Sequence, residues 1–165
     1  MIGWYRNGTI EIRPATKRDG DWLATRLRKA DRREIWSAYG MDGEAGFWAA
    51  FNNSEETYSV VWKEKVVVIF GVCLLSRLSN QGGIWMLATD QLDEIGVSFA
   101  RNTRKIIQEF LTRYSSLVNW VDCRNTQSIA WLRINGFEIR EARPYGVFGE
   151  PFHYFYQRKK NEKTE

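Results

Sequence analysis

The segment that most restricts the fold is Val66 to Leu75, VVVIFGVCLL. It is apolar at alternate and adjacent positions alike, whereas a strand with one wet face would alternate apolar with polar. Such a run is a central strand, covered on both faces. The run TYSVVW lies just before it, across the polar turn Lys63-Glu64-Lys65, and is β-branched and aromatic in the same way. The two together predict a hairpin. No apolar run in the chain approaches the length a membrane-spanning helix needs.

Around that hairpin the periodicity sets the other elements. TIEIRPA alternates Ile10 and Ile12 with polar residues and ends at Pro14, a first strand. Asp19 and Asp21 are N-cap candidates for a helix in which Trp22, Leu23, Leu27 and Ala30 recur at helical spacing. That helix either continues through REIWSAY or breaks near Asp31. Gly40 and Gly43 bracket a turn, and EAGFWAAF is a short second helix. IWMLATDQL follows as a strand of mixed pattern. VSFARNTRKIIQEFLTRYSS gives the strongest helical signal: Phe99, Thr103, Ile106, Phe110 and Tyr114 share one face, Arg101, Arg104, Lys105 and Glu109 lie off it, and Ser98 is a candidate cap.

LVNWVDC is then a strand, and RNTQSIAWLRING a helix capped by Asn125 or Thr126. Ile129 and Leu132 face its sheet, and Gly136 supplies the left-handed residue that ends it. GFEIREA and PFHYFYQRK are the last strands. The order β–α–α–β–β–β–α–β–α–β–β predicts an α/β fold: one domain over residues 1–157 with a mixed central sheet flanked by helices, and a polar tail at 158–165.

Composition removes several functions. The net charge is +4, and its basic runs, KRDGDWLATRLRKADRR and RNTRK, have acidic residues mixed in or stand alone, without a recognition motif. They are read first as solvated helix faces, with a nucleic-acid groove as the less favoured alternative. Cys73 and Cys123 sit in apolar strand-like runs and are expected to be buried and reduced, since two Cys and the single His153 cannot cage a zinc ion. The start MIGWYRNGTIEIRP has no signal-peptide pattern, which points to a cytoplasmic product. Eight Trp, seven Tyr and nine Phe suit a dense core. Trp4, Tyr5, Tyr39 and Trp48 fall in the least regular segments, where an interface is the alternative. His153 is expected to be structural or half-exposed.

The element order, the hairpin VVWKEKVVVIFGV and the last helix, with Asn at its head and Gly-Phe at its foot, resemble the GNAT (Gcn5-related N-acetyltransferase) superfamily. More narrowly, GGIWMLATDQL, FARNTRKIIQEFLTRY and LVNWVDCRNTQSIAWLRINGFEI resemble the bacteriophage internal virion protein A family and its prophage relatives. The resemblance covers about Ile10 to Tyr156 and is strongest from Trp85 to Ile139. It implies a cleft between two splayed parallel strands that takes acetyl-CoA, with no metal. Its cofactor-binding residues would be Leu87, Thr89, Ser98, Arg101, Asn102, Thr103, Arg104 and Asn125. The pyrophosphate would meet a helix N-terminus, where free N–H groups and the helix dipole favour an anion. It also implies a product of the host cytoplasm or the virion.

Two departures stand against this pattern. With the helix cores aligned, Arg101 and Thr103 occupy positions where the superfamily's pyrophosphate loop has glycines, and Gly96 is the nearby glycine. Leu132 stands where many members place a proton-donating Tyr, and neither it nor its neighbour Trp131 can serve. Asp90, Asp93 and Glu94 follow the WMLAT strand, near where a superfamily general base often sits, and Asp90 is the catalytic candidate; the alternative is a solvated loop. Asn125 either caps its helix or bonds the cofactor's pantetheine arm. Three functions therefore stay open: an acyl-CoA-dependent N-acyltransferase using a small or protein amine, a non-catalytic scaffold binding a virion or host protein, and nucleic-acid binding.

Overall fold

The computed structural model describes residues 5–7 and 10–160. The side chains of Trp4 and Tyr5, expected at an interface, lie outside the described residues. Eight strands form one sheet: β1 (Tyr5–Asn7), β2 (Ile10–Pro14), β3 (Glu56–Trp62), β4 (Lys65–Ser76), β5 (Gln81–Ala88), β6 (Ser116–Asp122), β7 (Glu138–Tyr145) and β8 (Glu150–Arg158). Their order across the sheet is β1-β2-β3-β4-β5-β6-β8-β7, with β5–β6 the one parallel pair. Helices α1 (Lys17–Leu23), α2 (Lys29–Tyr39) and α3 (Gly43–Asn52) cover one face, and α4 (Leu92–Arg113) and α5 (Thr126–Ile134) the other.

The apolar run does what its pattern demands. Val68, Phe70 and Val72 of β4 join the core under α4 and α5, with Phe99, Ile106, Phe110, Ile129 and Leu132. Ile69 turns the other way, to Leu23, Leu27, Ile35 and Phe47 from α1–α3 and the segment between. The β3–β4 turn is made by Lys63 and Glu64, both at positive φ (48° and 63°). Paired positive φ values match the twist of a tight hairpin.

Three local expectations are corrected. The cap of α1 is Thr16, not Asp19 or Asp21: Thr16 Oγ1 accepts from Asp19 N–H, and the Asp19 carboxylate accepts from Thr16 N–H. Asp19 also takes Arg13 and Ser59, which anchors α1 to β2 and β3. The helical stretch does break before Asp31, and α2 starts at Lys29. The long helix α4 starts at Leu92 rather than Ser98, because Leu92, Ile95 and Phe99 extend its buried stripe toward the N-terminus. Cys73 and Cys123 are free, as expected, but half-buried rather than buried. Trp48 packs against the α1–α3 core, whereas Tyr39 is exposed.

Candidate active site

The parallel strands β5 and β6 pair through Gln81–Ser116, Gly82–Leu117 and Gly83–Val118, and no further. Both strands continue, so a wedge opens in the middle of the sheet. At its apex Asn119 Nδ2 donates to the Ile84 carbonyl at 2.7 Å. At its wide end Ala88 N–H donates to Asp31 Oδ2 (2.9 Å), and the Ala88 carbonyl accepts from Arg28 N–H (2.9 Å). Alternate residues of a strand turn their main-chain groups away from an antiparallel partner. Ile84, Met86 and Ala88 share that edge of β5, so Met86, between the two sealed positions, turns its N–H and C=O into the wedge.

A cavity of about 150 Å3 runs through the wedge. Its charged lining residues are Asp31 and Glu34, and no Lys, Arg or His is among the described residues that line it. Glu34 Oε2 accepts from Asn125 Nδ2 at 2.8 Å. Burial pushes the Glu34 carboxyl up to about 8; the Asn125 amide works against this, while the negative charges of Asp31 and Asp122 add to it. Asn125 caps α5 with its other amide atom, Oδ1 accepting from Ser128 N–H at 3.3 Å. One side chain thus fixes a helix start and holds the cavity's carboxyl group.

A polar bridge closes the side toward α5. Arg28, buried, grips the Asp31 carboxylate through Nε and Nη2 (3.0 and 2.7 Å). Its Nη1 donates to Gln127 Oε1 at 2.7 Å, and Gln127 Nε2 donates to Asp93 Oδ1 at 2.7 Å. Residues at the starts of α2, α5 and α4 are joined in that chain. A second cavity, about 330 Å3, lies between α4 and α5 and shares Met86, Ser128 and Trp131 with the first.

The candidate residues scatter along these elements. Leu87 lines the wedge by its side chain, with its main chain facing β4. Thr89 is buried, its hydroxyl without a partner. Thr103 lines the wedge and donates to Asn135 Oδ1 at 3.2 Å. Arg101 borders the larger cavity. Ser98 and Arg104 are exposed on α4, and Asn102 is buried there. Because α4 begins at Leu92, these residues sit within the helix and not at its N-terminus. Asp90 is on an exposed turn outside the wedge lining, and Leu132 does line the wedge. His153, half-buried on β8 with Nδ1 2.7 Å from the Arg140 carbonyl, is outside it. Glu34 was missed: DRREIWSAY reads as a charged helix face, and nothing local marks Glu34 within it. No cluster of three or more His, Cys, Asp and Glu among the described residues is placed for a metal.

A mixed sheet split between two parallel strands, with helices on both faces, is the fold of the GNAT acetyltransferases. The ribosomal-protein-S5-alanine acetyltransferase of Vibrio fischeri matches with a TM-score of 0.71 at 14% identity, over 98% of this chain and 100% of that one. A GNAT-family acetyltransferase of Bacillus anthracis matches with a TM-score of 0.70 at 10% identity, over 95% and 99%. A ribosomal L7/L12 alpha-N-protein acetyltransferase, solved in complex with coenzyme A, matches with a TM-score of 0.67 at 11% identity, over 94% and 97%. No protein-family model and no curated protein matches the sequence.

For acyl-CoA the residues present fit along the arm and fit less well at the phosphates. The Met86 main chain suits the amides of a pantetheine arm. Trp131 Nε1 and Thr89 Oγ1 are buried polar atoms without partners. Gly96 faces the larger cavity, and a Cβ there would meet nothing within 4 Å, so packing alone does not call for glycine. Yet the first turn of α4 carries Asp93 and Glu94, which repel an anion where the helix dipole would attract one. Since glycine inside a helix costs about 1 kcal/mol relative to alanine, Gly96→Ala will raise the midpoint of thermal unfolding and weaken any ligand that lies against that turn. Calorimetry with and without CoA reads both.

Proposed function

We propose that this protein is an acyl-CoA-dependent N-acyltransferase, with acetyl-CoA as donor, in which Glu34 takes the proton from the attacking amine. The observation that carries this reading is Glu34 itself, a carboxyl group with a raised pKa held by Asn125 in a wedge whose described lining has no Lys, Arg or His. Acyl-CoA bound there supplies an acyl thioester: the amine nitrogen forms a bond to the acyl carbon, the carbon–sulfur bond breaks, and CoA leaves as its thiol. A proton acceptor with a pKa near that of an α-amine, about 8, can free the amine at little cost. Asn125 orients the carboxyl group, and the Met86 main chain holds the donor's arm. The similar acetyltransferases named for an alanine of a ribosomal protein and for an α-amine support a protein amine as acceptor.

Thermal unfolding with and without acetyl-CoA tests the reading. A ligand at a hundred times its Kd stabilises the native state by about 2.7 kcal/mol, several degrees in a domain of this size. A shift with acetyl-CoA and CoA is expected, and release of free CoA once an amine acceptor is added. No shift with either overturns the proposal.

One set of observations favours a second reading, a GNAT scaffold that acts by protein contact in virion assembly or against a host target. The carboxylates of Asp93 and Glu94, the Arg28–Gln127–Asp93 bridge and Leu132 in the wedge all oppose donor binding or proton return. The phage part of that reading rests on the segments between Trp85 and Ile139. Stable capture of a virion or host protein, together with no response to CoA, is its expected signature.

A further inference from the structure

Four large apolar side chains stand exposed on one side of the molecule: Trp36 at 53%, Tyr39 at 54%, Val147 at 62% and Phe148 at 54%. They come from the outer part of α2 and the turn between β7 and β8. The Trp36 and Phe148 rings are 5.6 Å apart between centroids. The turn is fastened to the helix: Val147 N–H donates to the Ala38 carbonyl at 3.1 Å. Gly146, at φ +76°, lies so close that a Cβ would come within 2.7 Å of the Ala38 main chain. The platform is therefore built into the fold.

This platform is continuous with the wedge. Ala38, Tyr39 and Tyr145 line the cavity from the same helix and the same hairpin. The cavity of about 150 Å3 has to take the end of the donor's arm as well as the acceptor's amine. An acceptor larger than an amine with a short stub must therefore continue outside, across the rim. No Lys, Arg or His is among the described residues that line the cavity, so an acceptor whose carboxylate stands next to its amine would lose water there without gaining a cation. A free amino acid is disfavoured on that ground, and a peptide, whose carboxyl is an amide, is not. Exposed apolar patches of this kind mark sites of contact with macromolecules.

We infer that the acceptor is a polypeptide that presents its amine to Glu34 and lays neighbouring apolar side chains on Trp36, Val147 and Phe148. This rests on the acyltransferase reading, and its test is built to separate the two. A short peptide amide beginning Ala-Phe-Leu is titrated into the protein by calorimetry. CoA release from acetyl-CoA is then followed with that peptide and with a small amine, ethanolamine. The double variant Trp36→Ala, Phe148→Ala removes only exposed rings, and the unfolding midpoint of each protein confirms that it is folded.

The expected result is peptide binding weakened about tenfold or more in the double variant, with a matching rise in KM, an unchanged kcat, and ethanolamine turnover unaltered. If neither acceptor is acylated while peptide binding still falls in the variant, the docking surface stands and the acyltransferase reading fails. Absence of peptide binding by the unaltered protein, or equal binding by both, overturns the inference. So does a concentration-dependent dimer that the double variant abolishes, because a second copy then covers the patch.

Discussion

Glu34→Gln will yield a protein that is more stable at neutral and alkaline pH and transfers acyl groups at least about a hundredfold more slowly. The folded-state pKa of Glu34 is about 8, against an ordinary value of 4.5. Between those values the folded protein keeps a proton that the unfolded chain has released. Folding stability therefore falls as pH rises through that window and levels off above it. At 1.36 kcal/mol per pKa unit the accumulated loss is on the order of 5 kcal/mol.

Arg28 just before α2, Asp31 within it and Tyr39 at its end, Asp122 on β6, and the Asn125 amide that caps α5 are the groups that face Glu34. Gln cannot ionise and still accepts from Asn125, so the variant keeps a flat stability profile where the natural protein declines. Scanning calorimetry at pH 4.5 and pH 9 checks this: the variant's advantage should be small at the lower pH and several degrees at the higher. Loss of a general base typically lowers the rate by about 10²- to 10⁴-fold. A variant with the same alkaline decline as the natural protein would show that Glu34 does not titrate in the folded state as described. Unchanged acyl transfer would remove it from the chemistry.

Asp31→Asn is expected to destabilise the protein by about 3–5 kcal/mol, the usual result of leaving a buried charge without its partner. Arg28 is buried, and its guanidinium meets the Asp31 carboxylate through two nitrogens. The same carboxylate receives Ala88 N–H at the wide end of the wedge. Arg28 also reaches Gln127 and Ser128 on α5. Removing the charge therefore loosens the joint between α2, β5 and α5 and leaves a cation in an apolar setting. A urea titration reads the loss as a lower midpoint at an unchanged slope. The double variant Arg28→Met, Asp31→Leu should lose less than Asp31→Asn, since both charges leave together. A larger loss for the double variant would mean that the pair's hydrogen bonds, not its charge balance, hold the joint.

How far the site was legible follows from what each residue answers to. Phe99, Ile106 and Phe110 could be assigned to a buried face because a helix buries a stripe, and the stripe is written at a spacing of three and four. The start of α4 was misplaced by six residues, from Ser98 to Leu92, because Gly96 and the acidic Asp93-Glu94 read as loop while Leu92 and Ile95 continue the stripe unseen. Asn125 could be read as a cap from its place before TQSI, and it is one. Its second bond, to Glu34, joins residues 91 apart in the chain and leaves no mark in either segment. Asp90 drew attention because it follows a strand, yet the fold turns it to solvent and brings in a carboxyl group from α2 instead.

The sequence by itself determined the central strand, the hairpin, the helical stripes and the GNAT-like order of elements. Each is a matter of apolar period, β-branching and turn chemistry among near neighbours. Only the tertiary structure decided where the sheet splits, which carboxyl group stands in the split, and that an arginine and an aspartate at the start of α2 seal its wide end. Those depend on how strands distant in sequence diverge and on how deeply a side chain is removed from water. The chain writes which residues prefer to be buried, but the pKa of Glu34 and the shape of the wedge are set by what the rest of the fold packs around them.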